Sequence, residues 1–463
     1  MTMHRRRFLR SAGLGLPGAA LLASLPACDG GAERAVHPSR RTETIVIGAG
    51  ISGLAAARHL ADRGREVTVL EARNRIGGRV WTSRQWPGVP LDLGASWIHG
   101  IDGNPITDLA RKAGARTVVT DPGSSSDYLA DGRKVEGAQA EALERWREDT
   151  ADALSTYQDE ATRDATVRRV VQNELDWTDL SYRDKSLISF ALNDYEHEYS
   201  GGVDQLSALY FNDDAKINGR DVLFPGGYGA VTDHLAKGLS VHTGQVVKQV
   251  DWNSTGVTVT TGKATYQAQH VVVTLPLGVL QGGTVRFVPG LPAAKLTAIG
   301  KLGMGVLDKC YLRFPKVFWS DTDWLTYIPD LDRYGQWEQW INITRATGQP
   351  VLLGFNAAAF GRTIEGWSDA QIVDSAMRTL RTIFGAGIPA PTGHQITRWA
   401  SDPYARGSYS FNRFGSMPAM RDHLAAPVGD RVHFAGEATS RKSIATVHGA
   451  YLSGIRAAEE ITG

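Results

Sequence analysis

The stretch that decides the fold is TIVIGAGISG, residues 44–53, near the start of the chain. Its first four residues are β-branched and predict a short strand, and the residues from Leu54 to Arg63 predict a helix. The glycines between these elements are Gly48, Gly50 and Gly53. The spacing G-x-G-x-x-G alone is weak evidence, but between a strand and a helix it gives a tight turn, a close approach of backbone to phosphate and close helix packing. The stretch therefore predicts a dinucleotide-binding unit.

A second strand and an acidic residue complete this unit. Residues 66–70, EVTVL, predict the strand, and Glu71 closes it 23 positions after Gly48. An acidic side chain at this place accepts hydrogen bonds from a ribose. The phosphates are expected at the start of the helix, where free N–H groups and the helix dipole favour anions. This context favours a dinucleotide site over an α/β turn that binds nothing.

The residues after Glu71 decide between NAD and FAD. Residues 72–80, ARNRIGGRV, resemble the second glycine motif of the FAD-binding flavoprotein oxidases. Gly77 and Gly78 would let the backbone approach the cofactor, and Arg73 or Arg79 can offer donors to phosphate or flavin oxygens. Folds that bind only NAD do not need this extension, so FAD is the expected cofactor.

The composition excludes several other classes of function. The 463 residues carry 50 Lys and Arg against 49 Asp and Glu, so the net charge of +1 predicts no nucleic-acid partner. Only two cysteines occur, Cys28 and Cys310. These are too few for a disulfide scaffold or for a zinc or iron–sulfur site made of cysteines, and no metal is expected.

Residues 1–28 predict an export signal. A basic start, Arg5–Arg7, precedes Phe8-Leu9 and a mild apolar stretch, and this order resembles a twin-arginine signal. Residues 25–28, LPAC, also resemble a lipoprotein box, so Cys28 is either lipidated or incidental to an ordinary cleaved signal. The protein is therefore expected to be exported, periplasmic or extracellular, with a membrane contact only through a lipid at Cys28. Residues 29–42 are polar and small and predict a linker.

The rest of the chain predicts two domains whose segments alternate. The fold class is α/β: a doubly wound, Rossmann-like FAD-binding domain with an interleaved α+β substrate domain. The FAD-binding segments are predicted at residues 43–125, 223–282 and 400–463. The segments of the substrate domain are predicted at residues 126–222, mainly helical, and at residues 283–399.

Four segments, taken in order, resemble the flavin-containing amine oxidases, and most of all their polyamine oxidase and histone demethylase branch. They are the fingerprint at Gly48, the glycine–arginine motif at Gly77, GASWIHG at residues 94–100, and AGE at residues 435–437 leading to VHGA at residues 447–450. The segment SDPYARGSY, residues 401–409, also resembles a family segment beside the flavin ring. The resemblance covers roughly residue 43 to the C-terminus.

This resemblance and the glycine motifs together imply the contacts with FAD. The implied residues are Gly48, Gly50, Gly53, Glu71, Arg73, Gly77, Gly78, Arg79, Gly94, Ala95, Ser96, Trp97, Val247, Trp399, Tyr404, Gly436, Glu437, Thr446 and Val447. A closing helix, predicted from Val447 to Ile461, would point its N-terminus at the pyrimidine end of the flavin, where reduced flavin carries negative charge. Core packing is the rival role for Trp399.

The resemblance implies two catalytic residues. Amine oxidation by flavin moves a hydride equivalent from the carbon beside nitrogen, and it needs no nucleophile and no metal. Residues 303–309, GMGVLDK, resemble the family stretch whose lysine holds a water against flavin N5, which makes Lys309 the first candidate. A surface lysine on a strand is the alternative. His99 is the second candidate, at the substrate tunnel, with a satisfied structural histidine as the alternative.

Contacts with the substrate are predicted at an acidic stretch and at an aromatic ring. In residues 193–199, NDYEHEY, one of Asp194, Glu196 and Glu198 is expected to pair with the distal ammonium of a polyamine. A solvated helix end is the alternative. The ring of Tyr409 is expected to line the space in front of the flavin, where an aromatic surface attracts an amine.

At three places the sequence differs from particular branches of this family, and these differences narrow the expected activity. Ser408 stands where the monoamine oxidases tether FAD through a cysteine, so the FAD is expected to be non-covalent. Thr446 stands where monoamine oxidases and plant-type polyamine oxidases place a ring. The residues after Gly94-Ala95 lack the arginine with which L-amino-acid oxidases clamp the substrate carboxylate.

The expected activity is FAD-dependent oxidation of a polyamine, or of another primary or secondary amine, to an imine that water hydrolyses. Oxygen then takes the electrons and becomes hydrogen peroxide. An L-amino-acid oxidase or desaturase-like flavoenzyme of the same fold is one alternative. A secreted flavin-binding protein without turnover is the other. The sequence predicts neither the amine nor the oligomeric state.

Overall fold

The computed structural model describes residues 39–463. The predicted export signal, Cys28 and most of the predicted linker lie outside these residues. The helices of the described residues are α1 Ile51–Ala61, α2 Pro105–Lys112, α3 Ala138–Glu160, α4 Val167–Glu174, α5 Tyr182–Tyr199, α6 Gly229–Ala236, α7 Leu277–Gln281, α8 Ala293–Lys301, α9 Thr344–Thr347, α10 Ala358–Glu365, α11 Asp369–Phe384, α12 Ala419–Ala425 and α13 Val447–Thr462. Single 3₁₀ turns lie at Trp177–Asp179, Leu331–Arg333 and Glu437–Thr439. Across residues 39–463, no helix is long and apolar enough to cross a membrane.

The strands of the same residues belong to six sheets. They are β1 Ser39–Arg41, β2 Thr44–Ile47, β3 Val67–Leu70, β4 Thr82–Ser83, β5 Leu91–Asp92, β6 Trp97–Ile98, β7 Val118–Thr120, β8 Ser125–Leu129, β9 Asp221–Leu223, β10 Ser240–His242, β11 Val247–Asn253, β12 Gly256–Thr261, β13 Thr265–Ala268, β14 His270–Val273, β15 Arg286–Val288, β16 Gly303–Met304, β17 Leu307–Arg313, β18 Trp324–Ile328, β19 Gln339–Asn342, β20 Val351–Ala357, β21 Gly393–Ile396, β22 Ser410–Phe411 and β23 Val432–Phe434.

A parallel sheet forms the cofactor half of the protein. Its strand order is β10-β3-β2-β14-β23, and every neighbouring pair is parallel. All four residues of β2 are buried, as expected for a strand that is covered on both faces. The strand predicted at residues 44–47, the helix after it and the strand at residues 66–70 are confirmed as β2, α1 and β3. The doubly wound α/β fold class is thereby confirmed as well.

Helices α1 and α13 pack together on one face of this sheet. Ser52 in α1 and Ser453 in α13 are joined by a hydrogen bond of 3.2 Å between their hydroxyl groups. A Cβ atom on Gly454 would lie 2.1 Å from the carbonyl oxygen of Ser52, so only glycine permits this approach. The closing helix predicted from residue 447 is confirmed as α13.

A second sheet, with strand order β1-β13-β12-β11-β15, covers the other face of the parallel sheet. Strand β15 pairs with β11, and Ala298 and Ile299 of α8 share a core cluster with Ile45 and Val271. Residues 286–301 therefore pack with the cofactor half, although the sequence predicts a substrate-domain segment from residue 283. The difference arises because β15 has three residues and α8 nine, too few to show which core they join.

A six-stranded sheet forms the substrate half, with strand order β21-β17-β20-β19-β18-β8. All seven residues of β20 are buried, and helix α11 packs Ile372 and Leu380 against Leu312 and Trp340 of this sheet. Just after β17, Phe314, Phe318 and Trp319 contact one another. Strand β17 begins at Leu307 and carries Lys309.

The segment predicted to be mainly helical, residues 126–222, contains α3, α4 and α5. Trp146 of α3 packs into two apolar clusters and donates a hydrogen bond of 2.9 Å to Asp184. Two small antiparallel units, β4–β5 and β6-β9-β7, connect the halves. They bring Asp92 and Trp97 to the space between the parallel sheet and the six-stranded sheet.

Candidate active site

A cavity of about 1010 Å³ lies between the two halves and takes its lining from both. This volume is at the upper end of the ~300–1,000 Å³ usual for small-molecule sites, as a dinucleotide plus a second ligand would require. Nearly all of the predicted site residues line it. The lining ones are Gly48, Gly50, Glu71, Arg73, Gly77, Gly78, Arg79, Gly94, Ala95, Ser96, Trp97, His99, Glu198, Val247, Lys309, Trp399, Tyr404, Tyr409, Gly436, Glu437, Thr446 and Val447.

Gly53 lies behind the cavity wall, where it holds the glycine loop closed. A Cβ atom at this position would lie 2.0 Å from the carbonyl oxygen of Gly48. Helix α1 begins at Ile51 after Gly50, which offers no side chain to cap it, and its first turn carries no acidic residue. Uncapped N–H groups at a helix start that faces a cavity form a site for phosphate.

Glu71 stands at the end of β3 and joins two loops of the cofactor half. One carboxylate oxygen accepts a hydrogen bond of 2.8 Å from the N–H of Ala49, and the other accepts one of 2.8 Å from the N–H of Arg73. These bonds fix the carboxylate on the cavity wall and leave further lone pairs free. A carboxylate fixed in this way can accept the hydroxyl groups of a ribose.

Two arginines bridge the cofactor segments that are far apart in sequence. Arg73 donates to Asp402 at 2.6 Å, and Tyr404 lies under its guanidinium at 5.4 Å. Arg79 donates to Glu437 at 2.8 Å and to the carbonyl of Ser408 at 3.0 Å. These bonds tie the second glycine motif to the two C-terminal segments that complete the cavity.

Glu437 is buried but remains ionised because of its neighbours. Burial opposes its charge, yet the charges of Arg79 and Arg421 and a hydrogen bond from Ser410 outweigh burial and lower the pKa of Glu437. Burial lowers the pKa of the fully buried Arg421 to about 10, so it keeps its charge at neutral pH. This ion network makes the floor of the cavity rigid.

Lys309 reaches the cavity from β17 and is almost completely buried. Its ammonium contacts three oxygens: the carbonyl of Asp92 at 2.8 Å, the carbonyl of Gly94 at 2.6 Å and the hydroxyl of Ser96 at 2.5 Å. Burial lowers the pKa of Lys309, and the negative charge of Asp92 opposes the fall. Burial likewise raises the pKa of Asp92, against a hydrogen bond from Thr82 and the charge of Lys309.

An aromatic wall lies beside Lys309, whose Nζ is 5.9 Å from the ring centroid of Trp97 and 6.0 Å from that of Phe355. The ring of Trp97 stacks between those of His99 and Trp324, with ring centroids 6.2 and 6.1 Å away. Phe355 lies 6.2 Å from Trp97 on the same wall. Such a wall can hold an amine by contact with ring faces and can keep water from the reacting carbon.

Comparison with known proteins settles the family. Residues 51–462 match the model of the flavin containing amine oxidoreductases. The chain belongs to this family. Similar proteins include Polyamine oxidase 4 of Oryza sativa subsp. japonica, 35% identical over 90% of this chain and 88% of that protein. Polyamine oxidase 2 of Arabidopsis thaliana is 34% identical over 91% of this chain and 88% of that protein.

A demethylase and a solved oxidase structure are also similar to this amine oxidase. Lysine-specific histone demethylase 2 of Homo sapiens is 31% identical over 90% of this chain, which spans about half (53%) of that protein. A structure of putrescine oxidase bound to putrescine has a TM-score of 0.76, with 20% identity over 92% of this chain and 100% of that chain. At this identity the likeness shows the fold alone.

The residues of this amine oxidase fit FAD, the cofactor of its family. The glycine loop presents uncapped N–H groups, Glu71 is fixed for a ribose, and the cavity has the volume for a dinucleotide. Thr446 caps α13 by accepting a hydrogen bond of 3.0 Å from the N–H of Gly449, and this helix start also faces the cavity. Val247 closes the wall from β11.

Of the three acids predicted to contact the substrate, all in α5, only two face the cavity. Asp194 and Glu198 line the cavity. Glu196 does not: its carboxylate accepts hydrogen bonds from Asn193 at 3.0 Å and from the N–H of Val203 at 2.9 Å, within a buried cluster. The expected substrate contact of Glu196 is therefore corrected. Residues four apart share a helix face, so Asp194 and Glu198 point one way and Glu196 the other.

His99 lies at the mouth of the cavity, where its side chain is 65% exposed. Its Nδ1 lies 2.7 Å from the carboxylate of Asp221, which can only accept, so Nδ1 carries the proton and Nε2 is left to accept one. Burial opposes the charge of Asp221, but the hydrogen bond and charge of His99 outweigh it and lower the pKa of Asp221. Asp221 thus fixes which ring nitrogen of His99 can meet a substrate.

Three residues of the site are not found by the sequence reasoning. Asp92 sets the charge of Lys309, Asp221 orients His99, and His448 lines the cavity as the second residue of α13. Burial and the charge of His99 lower the pKa of His448 to about 4, so it is neutral at pH 7. His448 stands in the VHGA segment and could have been proposed from it. No sequence pattern indicated Asp92 or Asp221, because their partners, Lys309 and His99, lie far from them in the sequence.

The described part of the chain holds no group of three or more His, Cys, Asp or Glu side chains that could bind a metal ion. The hydroxyl of Ser408 lies on the cavity wall and bonds to the backbone of Leu307, at 2.7 Å as acceptor and at 3.0 Å as donor. Cys310 is buried in the core of the six-stranded sheet and is not among the lining residues.

Proposed function

We propose that this FAD-dependent amine oxidase acts on a di- or polyamine, with one nitrogen at the flavin and a second, charged nitrogen at Asp194 and Glu198. The observation that carries the proposal is the group of carboxylates on the cavity wall. Asp194, Glu198 and Asp214 line the cavity, together with the cation Lys216. The two similar polyamine oxidases support the same substrate class.

Asp194 is held ready for a cation. Its carboxylate accepts a hydrogen bond of 2.7 Å from Gln339, and Arg147 lies 3.6 Å away. Burial raises the pKa of Asp194 to about 6, and Arg147 opposes this rise. At neutral pH the carboxylate is therefore ionised, and its side chain is 39% exposed, so a second ammonium that enters the cavity can reach it.

When bound, FAD supplies the acceptor for the hydride equivalent that leaves the carbon beside nitrogen. The residues of the chain supply position and proton balance. Trp97, Phe355 and Tyr409 shape a dry wall around the reacting carbon. As an ammonium, Lys309 donates to three acceptors; as a neutral amine it has two N–H groups, and the hydroxyl of Ser96 then donates to Nζ. Lys309 can thus give up or regain a proton without leaving an unpaired buried group.

The first experiment is anaerobic mixing of the mature protein with spermidine, spermine, an aromatic monoamine and an L-amino acid in turn, followed by flavin absorbance. Bleaching by the polyamines alone is expected. Bleaching by the L-amino acid alone would contradict the proposal and indicate a carboxylate clamp. The lining arginines Arg73, Arg79 and Arg406 are the candidates for it, although Arg73 and Arg79 are already paired.

We propose further that the FAD is bound without a covalent bond. The support is the hydroxyl of Ser408 on the cavity wall and the burial of Cys310 away from it. Acid precipitation of the holoenzyme should leave the flavin in the supernatant. Flavin that stays in the protein pellet would contradict non-covalent binding.

We also propose that the protein is exported by the twin-arginine route, with lipid attachment at Cys28 as the open alternative to simple cleavage. The support is the sequence of residues 1–28, which lies outside the described residues. Replacing Arg5 and Arg6 by lysine should retain the protein in the cytoplasm. Cys28→Ser should release it from the membrane fraction if the cysteine carries a lipid, and should change nothing if the signal is cleaved.

A further inference from the structure

The segment from Thr397 to Ser401 carries Trp399 into the cavity wall, and two carboxyl groups hold it. Asp308 accepts hydrogen bonds from the hydroxyl of Thr397 at 2.7 Å and from the N–H of Trp399 at 3.0 Å, both at Oδ1. Glu365, the last residue of α10, accepts from the N–H groups of Ala400 and Ser401 at 2.6 and 2.7 Å. Four of the five residues in this segment therefore donate to the two carboxyl groups.

The two acids also meet each other. Asp308 is 2% exposed, and contact with Glu365 opposes the ionisation of its carboxyl group. Its second oxygen, Oδ2, is buried and has no donor among residues 39–463. Two carboxylates can only accept, so they cannot bond to each other unless one carries a proton. A proton between them would satisfy the oxygen that now lacks a donor.

The charged groups around the pair do not replace that proton. Arg398, in the held segment, donates to the backbone carbonyls of Glu365 and Trp367 and to the carboxylate of Asp369. Arg362 of α10 donates to the carbonyl of Met304, and Lys309 turns its ammonium to the opposite side of β17. Burial raises the pKa of Asp308 well above its usual range, and the contact and charge of Glu365 raise it further.

We propose that Asp308 and Glu365 share one proton, and that this acid pair positions the segment of Trp399 on the cavity wall. The pair acts through the segment and touches neither substrate nor cofactor. It also acts near Lys309, because the N–H of Lys309 donates to the hydroxyl of Thr397 at 2.8 Å and the N–H of Thr397 donates to the carbonyl of Lys309 at 3.0 Å. Loss of the shared proton would place two negative charges side by side and loosen the segment.

The test compares Asp308→Asn with Asp308→Ala in the FAD-bound enzyme. Asparagine keeps the accepting oxygen and carries a permanent donor in place of the shared proton, whereas alanine removes both. The first readout is the thermal midpoint between pH 6 and 10, and the second is the visible circular dichroism of the bound flavin. Neither readout needs an amine, so both remain valid if the proposed substrate class is wrong.

The unchanged enzyme should lose thermal stability in a one-proton step as the pH rises through the raised pKa of Asp308, with a parallel change in flavin dichroism. Asp308→Asn should abolish this step, and Glu365→Gln, with its own permanent donor, should abolish it too. At pH 7, Asp308→Ala should lower the rate constant for flavin reduction about tenfold, and Asp308→Asn should restore it. Of these measurements, only the rate constant for flavin reduction rests on the proposed function.

The proposal fails if Asp308→Asn keeps this step at the same pH, because the step would then belong to another group such as Lys309. It also fails if Asp308→Asn is as unstable as Asp308→Ala at pH 7, or does not fold, since the asparagine should reproduce the protonated acid.

Discussion

The ammonium of Lys309 contacts three oxygens, and only one of them, the hydroxyl of Ser96, can change from acceptor to donor. The two backbone carbonyls accept in either state of the lysine. The charge of Lys309 is therefore linked to the rotation of one hydroxyl and to the nearby carboxylate of Asp92. This arrangement suits a group whose proton must move during turnover.

Lys309→Met is expected to slow either reduction of the flavin by the amine or its reoxidation by oxygen, by about 10²-fold, the usual effect of losing a proton-transfer group. Stopped-flow absorbance separates the two half-reactions. Lys301→Met, at the exposed end of α8, is the matched control and should match the unchanged enzyme. Unchanged turnover in the Lys309 variant would remove the lysine from the mechanism.

Asp194→Asn is expected to raise the KM for a diamine about tenfold, equivalent to about 1.4 kcal/mol, while the KM for an aromatic monoamine stays the same. The reason is that only the diamine has a second ammonium for the carboxylate. Steady-state oxygen consumption with both amines measures this ratio. Glu174→Gln on the exposed surface of α4 serves as the control. An equal rise for both amines would mean that Asp194 shapes the cavity and does not select the substrate.

The carboxylate of Asp194 also predicts how the KM for a diamine depends on pH. Burial raises the pKa of Asp194 to about 6, so the group is ionised above pH 6 and becomes neutral as the pH falls through that value. The KM for a diamine should rise below pH 6 in the unchanged enzyme and stay level in Asp194→Asn. A rise that persists in this variant would point to Asp214, whose pKa burial also raises to about 6.

Among the elements, those with their own sequence signal were predicted well. Strand β2, helix α1 and helix α13 carry glycine motifs and continuous apolar runs, and each begins within a few residues of its predicted start. Helix α5 lies within residues 126–222, the segment predicted to be mainly helical, but the sequence did not indicate which of its faces meets the cavity. Its helical register separates Glu196 from Asp194 and Glu198, and this separation follows from spacing alone once the helix is accepted.

Gly53→Ala tests the glycine loop as an element. The added Cβ would lie 2.0 Å from the carbonyl oxygen of Gly48, so the loop must open and the variant should purify with little or no flavin. The absorbance ratio at 450 and 280 nm measures this. Gly300→Ala in α8 meets no atom within 4 Å and should keep its flavin, with a gain in stability of about 0.5–1 kcal/mol. Full flavin content in Gly53→Ala would contradict this loop geometry.

At the scale of the whole molecule, the cavity belongs to neither half alone. The glycine loop and Glu71 come from the cofactor half, whereas Lys309 and Phe355 come from the six-stranded sheet. Sequence reasoning found the ligand-facing residues with motifs. It could not find Asp221 or the Asp308–Glu365 contact, because those pairs depend on how separate segments fold back onto one another.

FAD should therefore stabilise both halves together. At about 100 times its Kd, a ligand adds ~2.7 kcal/mol to the free energy of unfolding. Tryptophan fluorescence reports mainly on the six-stranded half, where Trp319, Trp324, Trp337 and Trp340 lie, and far-UV circular dichroism reports on the whole chain. Both melting curves of the apoprotein should shift upward by the same amount when FAD is added. A shift in circular dichroism alone would mean that the halves melt independently.

The contact of α1 with α13 also determines when, during synthesis of the chain, the nucleotide-binding fold can be completed. Helix α1 lies near the start of the described residues and α13 near their end, so a ribosome that adds about 5–20 residues per second needs tens of seconds to make the chain between them. Throughout that interval the Ser52 surface has no Ser453 or Gly454 to cover it. The nucleotide fold of the nascent chain therefore stays unfinished until α13 has been made, and we expect firm binding of FAD only after that point.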